Sequence, residues 1–167
     1  MRPGPGPHAK IGVSMKIAIG ADHAGFELKE HLKRSMAAEG HSVEDLGTYD
    51  TASTDYPDYA AKVAHEVAQG KADRGILVCM TGMGMAMAAN KVKGIRAGLC
   101  HDHYSVRQGV EDDDMNVLCL GGRVMGIEVA WDHVQTFISS TFSNAERHCR
   151  RLSKVARLET SNATQEA

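Results

Sequence analysis

Gly75-Ile76-Leu77-Val78-Cys79-Met80-Thr81-Gly82-Met83-Gly84 is the stretch on which the fold turns. Its first five residues carry no charged or strongly polar side chain, as in strands buried on both faces of a parallel sheet. They feed directly into a glycine-rich turn, and the spacing beyond predicts a helix over Ala86–Lys91. Outward from this unit the alternation repeats. Lys16–Gly20 reads as a buried strand entering a turn at Ala21-Asp22-His23, with a helix expected over Ala24–Glu39 and Gly40 as its stop. Ser42–Leu46 is a second strand. It leads into an expected loop, Gly47–Asp58, that carries Tyr56 and Pro57, before a helix over Tyr59–Gln69. Arg96–Cys100 and Asn116–Leu120 are further strands, each followed by a helix-like segment. The second of these segments, Glu128–Ser140, sets Val129, Trp131, Val134, Phe137 and Ile138 at helical spacing. Strand–helix alternation with short connections predicts an α/β fold, a doubly wound parallel sheet with helices on both faces. Ligands of such sheets gather outside the carboxyl ends of strands. Asp22-His23, the loop at Tyr56, Cys79–Gly84 and His101-Asp102-His103 are therefore expected to converge on one crevice.

The chain has 167 residues, 43% of them hydrophobic and 24% charged, which fits one globular domain and excludes wholesale disorder, collagen and coiled coil. A net charge of -2 argues against nucleic acid or an acidic membrane as partner. No run approaches the about 18 apolar residues of a membrane span, and no basic-then-apolar leader opens the sequence. Cys79, Cys100, Cys119 and Cys149 lack the paired close spacing of zinc sites, so reduced thiols in a cytoplasm are expected. Pro3, Pro5 and Pro7 interleave with Gly4 and Gly6, so residues 1–14 read as a tail or extension, with the domain over 15–159 and a short tail over 160–167.

The glycine turn after Cys79 has two readings. It frees backbone N–H groups to face an anion, and it is also how any tight α/β connection is made. A thiol at the mouth of a helix is placed to act as a base, with the Thr81 hydroxyl near enough to pass protons, while burial as a small apolar residue is the commoner fate of a lone cysteine. Met80, Met83, Met85 and Met87 are expected to pack in the core. Arg147, Arg150, Arg151, Lys154 and Arg157 recur three and four apart beside His148, giving one basic face that is either solvated or a phosphate clamp. Cys100-His101-Asp102-His103 does not by itself make a complete metal site.

Met15–Glu159 resembles the ribose-5-phosphate isomerase B and galactose-6-phosphate isomerase family. The motifs fall in order: Gly20-Ala21-Asp22-His23-Ala24-Gly25, Asp55-Tyr56-Pro57, Cys79–Gly84 running into Ala88-Ala89-Asn90-Lys91, Gly94-Ile95-Arg96-Ala97, Cys100-His101-Asp102, Asn116-Val117-Leu118 and Arg147-His148. The resemblance implies a Rossmann-like three-layer α/β/α sandwich with a mostly parallel five-stranded sheet. It implies a homodimer or homotetramer with shared sites, a C-terminal helix reaching a partner subunit, and no metal or organic cofactor. The implied reaction is aldose–ketose isomerisation of a phosphosugar through an enediolate. Cys79 would be the base between C1 and C2 and Thr81 the proton shuttle at the sugar oxygens. Backbone N–H groups of Met80, Thr81, Gly82, Met83 and Gly84 would stabilise the oxyanion. Asp22, His23, Tyr56, His101 and Asp113 fall at substrate-contact positions, and Arg123, Arg147 and Arg151 at arginines aimed at substrate and phosphate.

One departure stands out. Where many relatives read His-Asn-Asp before the equivalent of Asn116, this chain reads Asp112-Asp113-Asp114-Met115, so the histidine assigned to ring opening is absent. An aspartate with an ordinary pKa near 4 accepts but does not donate a proton at pH 7, unless neighbours such as Glu111, Asp113 and Asp114 raise it. Three readings stay open: Asp112 opens the ring, His101 or His103 does so, or the substrate needs no opening. A tetrose 4-phosphate, whose O4 is blocked, belongs to the last. Met80 also replaces a glycine common among relatives, which narrows the expected pocket. The leading expectation is ribose 5-phosphate to ribulose 5-phosphate. The alternatives are a tetrose 4-phosphate or hexose 6-phosphate, or a phosphosugar sensor without turnover.

Overall fold

The computed structural model describes residues 13–163. The expected tail over residues 1–14 falls almost wholly outside them. Five strands, β1 (Lys16–Ala21), β2 (Ser42–Asp45), β3 (Arg74–Cys79), β4 (Ala97–Leu99) and β5 (Val117–Gly121), form one sheet in the order β2-β1-β3-β5-β4. Every pairing is parallel. The connecting helices are α1 (Phe26–Ala38), α2 (Tyr56–Ala68), α3 (Met83–Ala89), α4 (His103–Asp113), α5 (Ile127–Ser139) and α6 (Glu146–Ala163). No helix among the described residues is long and apolar enough to cross a membrane.

Strand side chains alternate between the two faces with period two, and the core divides accordingly. Ile17, Ile19, Ile76, Val78, Leu118 and Leu120 meet Leu28, Leu32 and Met36 of α1, Val106 and Val110 of α4, and Val134 and Phe137 of α5. Ala18, Leu77, Cys79, Val117 and Cys119 meet Ala60, Val63, Ala64 and Val67 of α2 and Met85 and Ala89 of α3. The sheet is therefore the middle of three layers, and Cys79 points to the α2–α3 side.

The chain winds outward from β1 to β2, then returns across the sheet to β3, so the winding reverses between neighbours β1 and β3. That reversal leaves a crevice outside their carboxyl ends, where Asp22 and Cys79 lie. Asp22 and Cys79 are tied there by the Asp22 N–H, which donates to the carbonyl of Val78 at 3.2 Å.

Four boundaries or burials differ from expectation. Tyr56 and Pro57 are not in the preceding loop: α2 begins at Tyr56, with Pro57 in its first turn, where its fixed φ suits the helix and no N–H is needed. Helix α3 begins at Met83 rather than Ala86, because Gly82 takes φ +83° and completes the turn in one residue. Helix α6 continues to Ala163, past the boundary expected at residue 159. Of the four clustered methionines only Met85 is buried, whereas Met80, Met83 and Met87 are 44%, 52% and 62% exposed. A seven-residue helix lays one narrow stripe on the sheet, and Met83 and Met87, four apart, lie off that stripe.

Candidate active site

The Cys79 loop is built mainly from backbone. Burial leaves Cys79 only 6% exposed, and the Gly82 N–H donates to its Sγ at 3.0 Å. Gly82 reaches that position through a left-handed φ of +83°, and a Cβ there would meet Leu99 Cδ1 at 2.6 Å. The exposed Thr81 accepts a hydrogen bond from the Met83 N–H at 3.3 Å through Oγ1. From the next strand, Gly122 N–H donates to the Cys79 carbonyl at 2.8 Å and Arg123 N–H to the Met80 carbonyl at 3.1 Å. A Cβ on Gly121 would sit 2.9 Å from the Thr81 carbonyl carbon and oxygen, so β5 presses directly against the loop. Backbone ties of this kind fix donors before any substrate arrives, which oxyanion stabilisation requires.

Around this loop the chain assembles Asp22, His23, Tyr56 and Arg123. Asp22 is 8% exposed, and its Oδ1 accepts from the N–H groups of Ala24 and Gly25 at 3.0 and 3.1 Å, so one carboxylate oxygen is spent on the turn. His23 Nδ1 accepts from the Thr54 N–H at 3.2 Å, which leaves Nε2 as the donor of the neutral ring. Tyr56 is 40% exposed, and its ring stands where a Cβ on Gly84 would come within 2.8 Å. The side chain of Arg123 is exposed beside its tied backbone. His101 is exposed past the end of edge strand β4, two strands from β3, and His103 bonds Thr136 Oγ1 at 3.0 Å and stacks on His133 with ring centroids 4.8 Å apart. Asp102 caps α4, held below the usual carboxylate range chiefly by the Ser105 N–H.

Asp112, Asp113, Arg147 and Arg151 are elsewhere. Val117 pairs with Gly75 and Gly121 with Cys79, so the end of α4 lies by the amino end of β5. Four residues of strand, about 13 Å, separate that level from Cys79. Asp112 Oδ2 accepts from Gln108 Nε2 at 3.0 Å, and its Oδ1 is 3.3 Å from Nδ1 of the buried His148. Asp113 is exposed and lines a cavity of about 520 Å³ with Arg96, Cys100, Met115, Val155 and Leu158, between edge strand β4 and helices α4 and α6. Arg147 and Arg151 are exposed on α6. One copy of the chain does not bring its two groups of candidate residues together.

Three supporting features lie outside the candidates read from the sequence. Thr54 fixes the His23 tautomer through a backbone bond, which composition does not mark. Gly121-Gly122 is a visible glycine pair, but its partner is known only once β5 is placed beside β3. Lys29 is fully buried in α1 with Nζ 2.6 Å from Asp45 Oδ1, and the other face of that network, Gly47 N–H to Asp45 Oδ1 at 3.0 Å, starts the loop that reaches Thr54. Burial keeps two other thiols protonated: it pushes Cys100 up to about 11 and raises Cys119 as well.

A ribose/galactose isomerase family model matches residues 17–155, nearly the whole described chain. The chain belongs to the ribose/galactose isomerase family. It is 42% identical to ribose-5-phosphate isomerase B of Escherichia coli over 86% of this chain and 96% of that protein. It is 41% identical to D-erythrulose-4-phosphate isomerase 2 of Mycolicibacterium smegmatis over 88% of this chain and 99% of that one. The structure of Clostridium thermocellum ribose-5-phosphate isomerase B superimposes with a TM-score of 0.87 at 43% identity, covering 89% of this chain and 99% of that chain. This member of the sugar-phosphate isomerases thus carries the expected three-layer α/β fold, with a sheet parallel throughout.

Proposed function

We propose that this isomerase interconverts D-ribose 5-phosphate and D-ribulose 5-phosphate through a cis-enediolate, with Cys79 as the base. The observation that carries the reading is the Cys79 thiol, buried at the carboxyl end of β3 with the Gly82 N–H on its sulfur and the loop backbone beside it tied to Gly122 and Arg123. A base moves the proton between C2 and C1, the loop donors hold the negative oxygen, and Thr81 carries the proton between O1 and O2. His23 Nε2 and Arg123 bind the substrate at the same crevice. The reaction is proton transfer within one substrate, so the residues present supply it without a cofactor.

The site takes its remaining groups from a second copy. Asp112, Asp113, Arg147 and Arg151 lie at the opposite end of the sheet from their own Cys79, while Met83, Met87, Val155 and Leu158 leave apolar surface exposed beside each group. A two-fold homodimer, alone or paired into a tetramer, places one protomer's basic α6 face over the partner's Cys79 loop, where it grips the phosphate. Reduced thiols suit a cytoplasmic enzyme.

An NMR time course of the full chain with ribose 5-phosphate, erythrose 4-phosphate and allose 6-phosphate tests this reading. Ribulose 5-phosphate forming fastest, and only with Cys79 intact, is the expected result. Preference for erythrose 4-phosphate would favour the second reading, a tetrose 4-phosphate isomerase, which Asp112 in place of a histidine and the similarity to the erythrulose-4-phosphate enzyme both support. Thermal stabilisation by these sugars without any product would mark a sensor.

A further inference from the structure

Asp22 and His23 sit on a turn, Ala21–Gly25, whose two flanks are gripped by different parts of the chain. On the amino side the Ala21 N–H donates to the Gly47 carbonyl and the Thr48 N–H to the Ala21 carbonyl, both at 2.7 Å. On the carboxyl side Gly25 caps α1, donates to Asp22 Oδ1 at 3.1 Å, and takes the Lys29 N–H on its carbonyl at 2.9 Å. The ring of His23 is held by the Thr54 N–H, at the far end of the loop that starts after β2. Where Asp22 and His23 point therefore depends on how that loop is set against α1.

One side chain joins the two parts. Lys29 Nζ lies 2.6 and 2.7 Å from the two Asp45 carboxylate oxygens and 2.9 Å from Glu30 Oε1, so each of its three hydrogens has an oxygen. Asp45 Oδ1 also accepts from the Gly47 N–H at 3.0 Å. Gly47 takes φ +95°, and a Cβ there would come within 2.8 Å of the Tyr59 ring, so the loop leaves β2 by a narrow route. The Lys29 side chain is 0% exposed and that of Asp45 15%. Desolvating such a pair offsets much of its attraction, and an apolar residue of similar volume would fill the space without that cost. What the pair supplies and an apolar residue cannot is direction: it holds Gly47 at hydrogen-bond distance from a fixed carboxylate.

We infer that Lys29 and Asp45 are positioning residues of the isomerase crevice, which set Asp22 and the His23 ring against the substrate through Gly47 and Thr54 rather than by touching the sugar. The inference rests on the isomerase reading. Gly47 is one hydrogen bond beyond Asp45, and Ala21, next to Asp22, is one beyond Gly47. The Cys79 loop is held separately, by the N–H groups of Gly122 and Arg123. The pair therefore governs substrate binding more than proton transfer.

The test sets Lys29→Met against Met36→Ala, which empties core space at the other end of the same helix, both made in the full chain. Thermal melts should show both variants destabilised. With ribose 5-phosphate, Lys29→Met is expected to raise KM about 30-fold and to change kcat by less than about threefold, while Met36→Ala stays within about twofold of wild type in both. Equal kinetic losses in the two variants, or no rise of KM in Lys29→Met, would overturn the proposal. Nitrogen NMR of the histidine rings, with His23 assigned by its loss in His23→Gln, reads the positioning without substrate. The neutral His23 ring should carry its proton on Nε2 in wild type and exchange it between both nitrogens in Lys29→Met, and an unmoved tautomer would also overturn the proposal. If Lys29→Met does not fold, Asp45→Asn, which keeps an oxygen for the Gly47 N–H, carries the test: a rise of about fivefold in KM with the same change of tautomer supports the inference, and the absence of either defeats it. An altered His23 tautomer in protein that isomerises none of the sugars would sink the isomerase reading and leave the positioning standing. Ribulose 5-phosphate formed with KM and tautomer unaltered in the variants would do the reverse.

Discussion

At the carboxyl end of β3 the site is made of main chain, pinned by Gly82, Gly121 and Gly122, with a single thiol as its reactive group. At the amino end of β5 the candidate groups are long or charged side chains on α4 and α6, with solvent on most of them. The first end is rigid before substrate binds, because its hydrogen bonds are shared by two adjacent central strands. The second is rich in charge and poor in enclosure. Enolisation needs fixed donors at a developing oxyanion, whereas a phosphate tolerates a flexible cationic grip. Under the proposed reaction, the division between the ends follows the division of the chemistry.

The largest expected effect breaks the first end. Cys79→Ala should lower kcat about 10³-fold with an unchanged unfolding midpoint, read by NMR product formation and thermal melts. Retained turnover in protein free of host isomerase would remove the thiol from the mechanism. Breaking the second end should act differently. Arg147→Ala with Arg151→Ala should raise KM and cost about 10²-fold in kcat/KM while kcat falls less. Mixing that variant with Cys79→Ala sharpens the contrast. In a two-fold dimer with shared sites, re-assortment of two crippled chains restores about a quarter of wild-type activity. Sites complete within one chain would recover nothing.

Smaller effects come from the frame under the first end. Lys29→Ala removes one of the two ammonium groups that hold the Asp45 carboxylate, leaving Lys33 on Oδ2 at 2.7 Å, and is expected to cost about 2 kcal/mol of unfolding free energy, measured by urea titration. The same network has a pH signature. Burial alone would raise the Asp45 carboxyl, yet hydrogen bonds from Lys29 and Lys33 outweigh burial and hold it below the ordinary range. A group depressed on folding stabilises fully above its unfolded value of about 4, and loses that contribution as pH falls through the lower folded value. Stability should therefore decline below about pH 4, and Asp45→Asn should flatten that decline.

The strand runs Ile17–Ile19, Ile76–Cys79 and Val117–Leu120 were legible in the sequence because strands buried on both faces leave little room for polar residues. Cys79, Thr81, Asp22 and His23 were legible as a cluster because the winding rule sends all of them to one end of the sheet. The distance of Asp112 from Cys79 was not, since it depends on which end of β5 meets which end of β3. The methionines misled for a related reason. Their spacing fits a core helix, but α3 is too short to turn more than Met85 and Ala89 inward. His148 sat visibly beside the arginines, while its carboxylate partner, 36 positions earlier in the chain, emerges only when α4 and α6 are packed.

Both borders of the sheet are brief. Strand β4 offers three residues and β2 four, the latter reading Ser42-Val43-Glu44-Asp45 with two acidic side chains. An uncovered border strand is a template on which a foreign strand can add, and the hazard grows with the number of free rungs and shrinks with charge. The long apolar strands β1, β3 and β5, the segments most able to seed fibrils, are all interior. Native molecules can therefore crowd together without their sheets fusing, so aggregation would have to begin from unfolded chains.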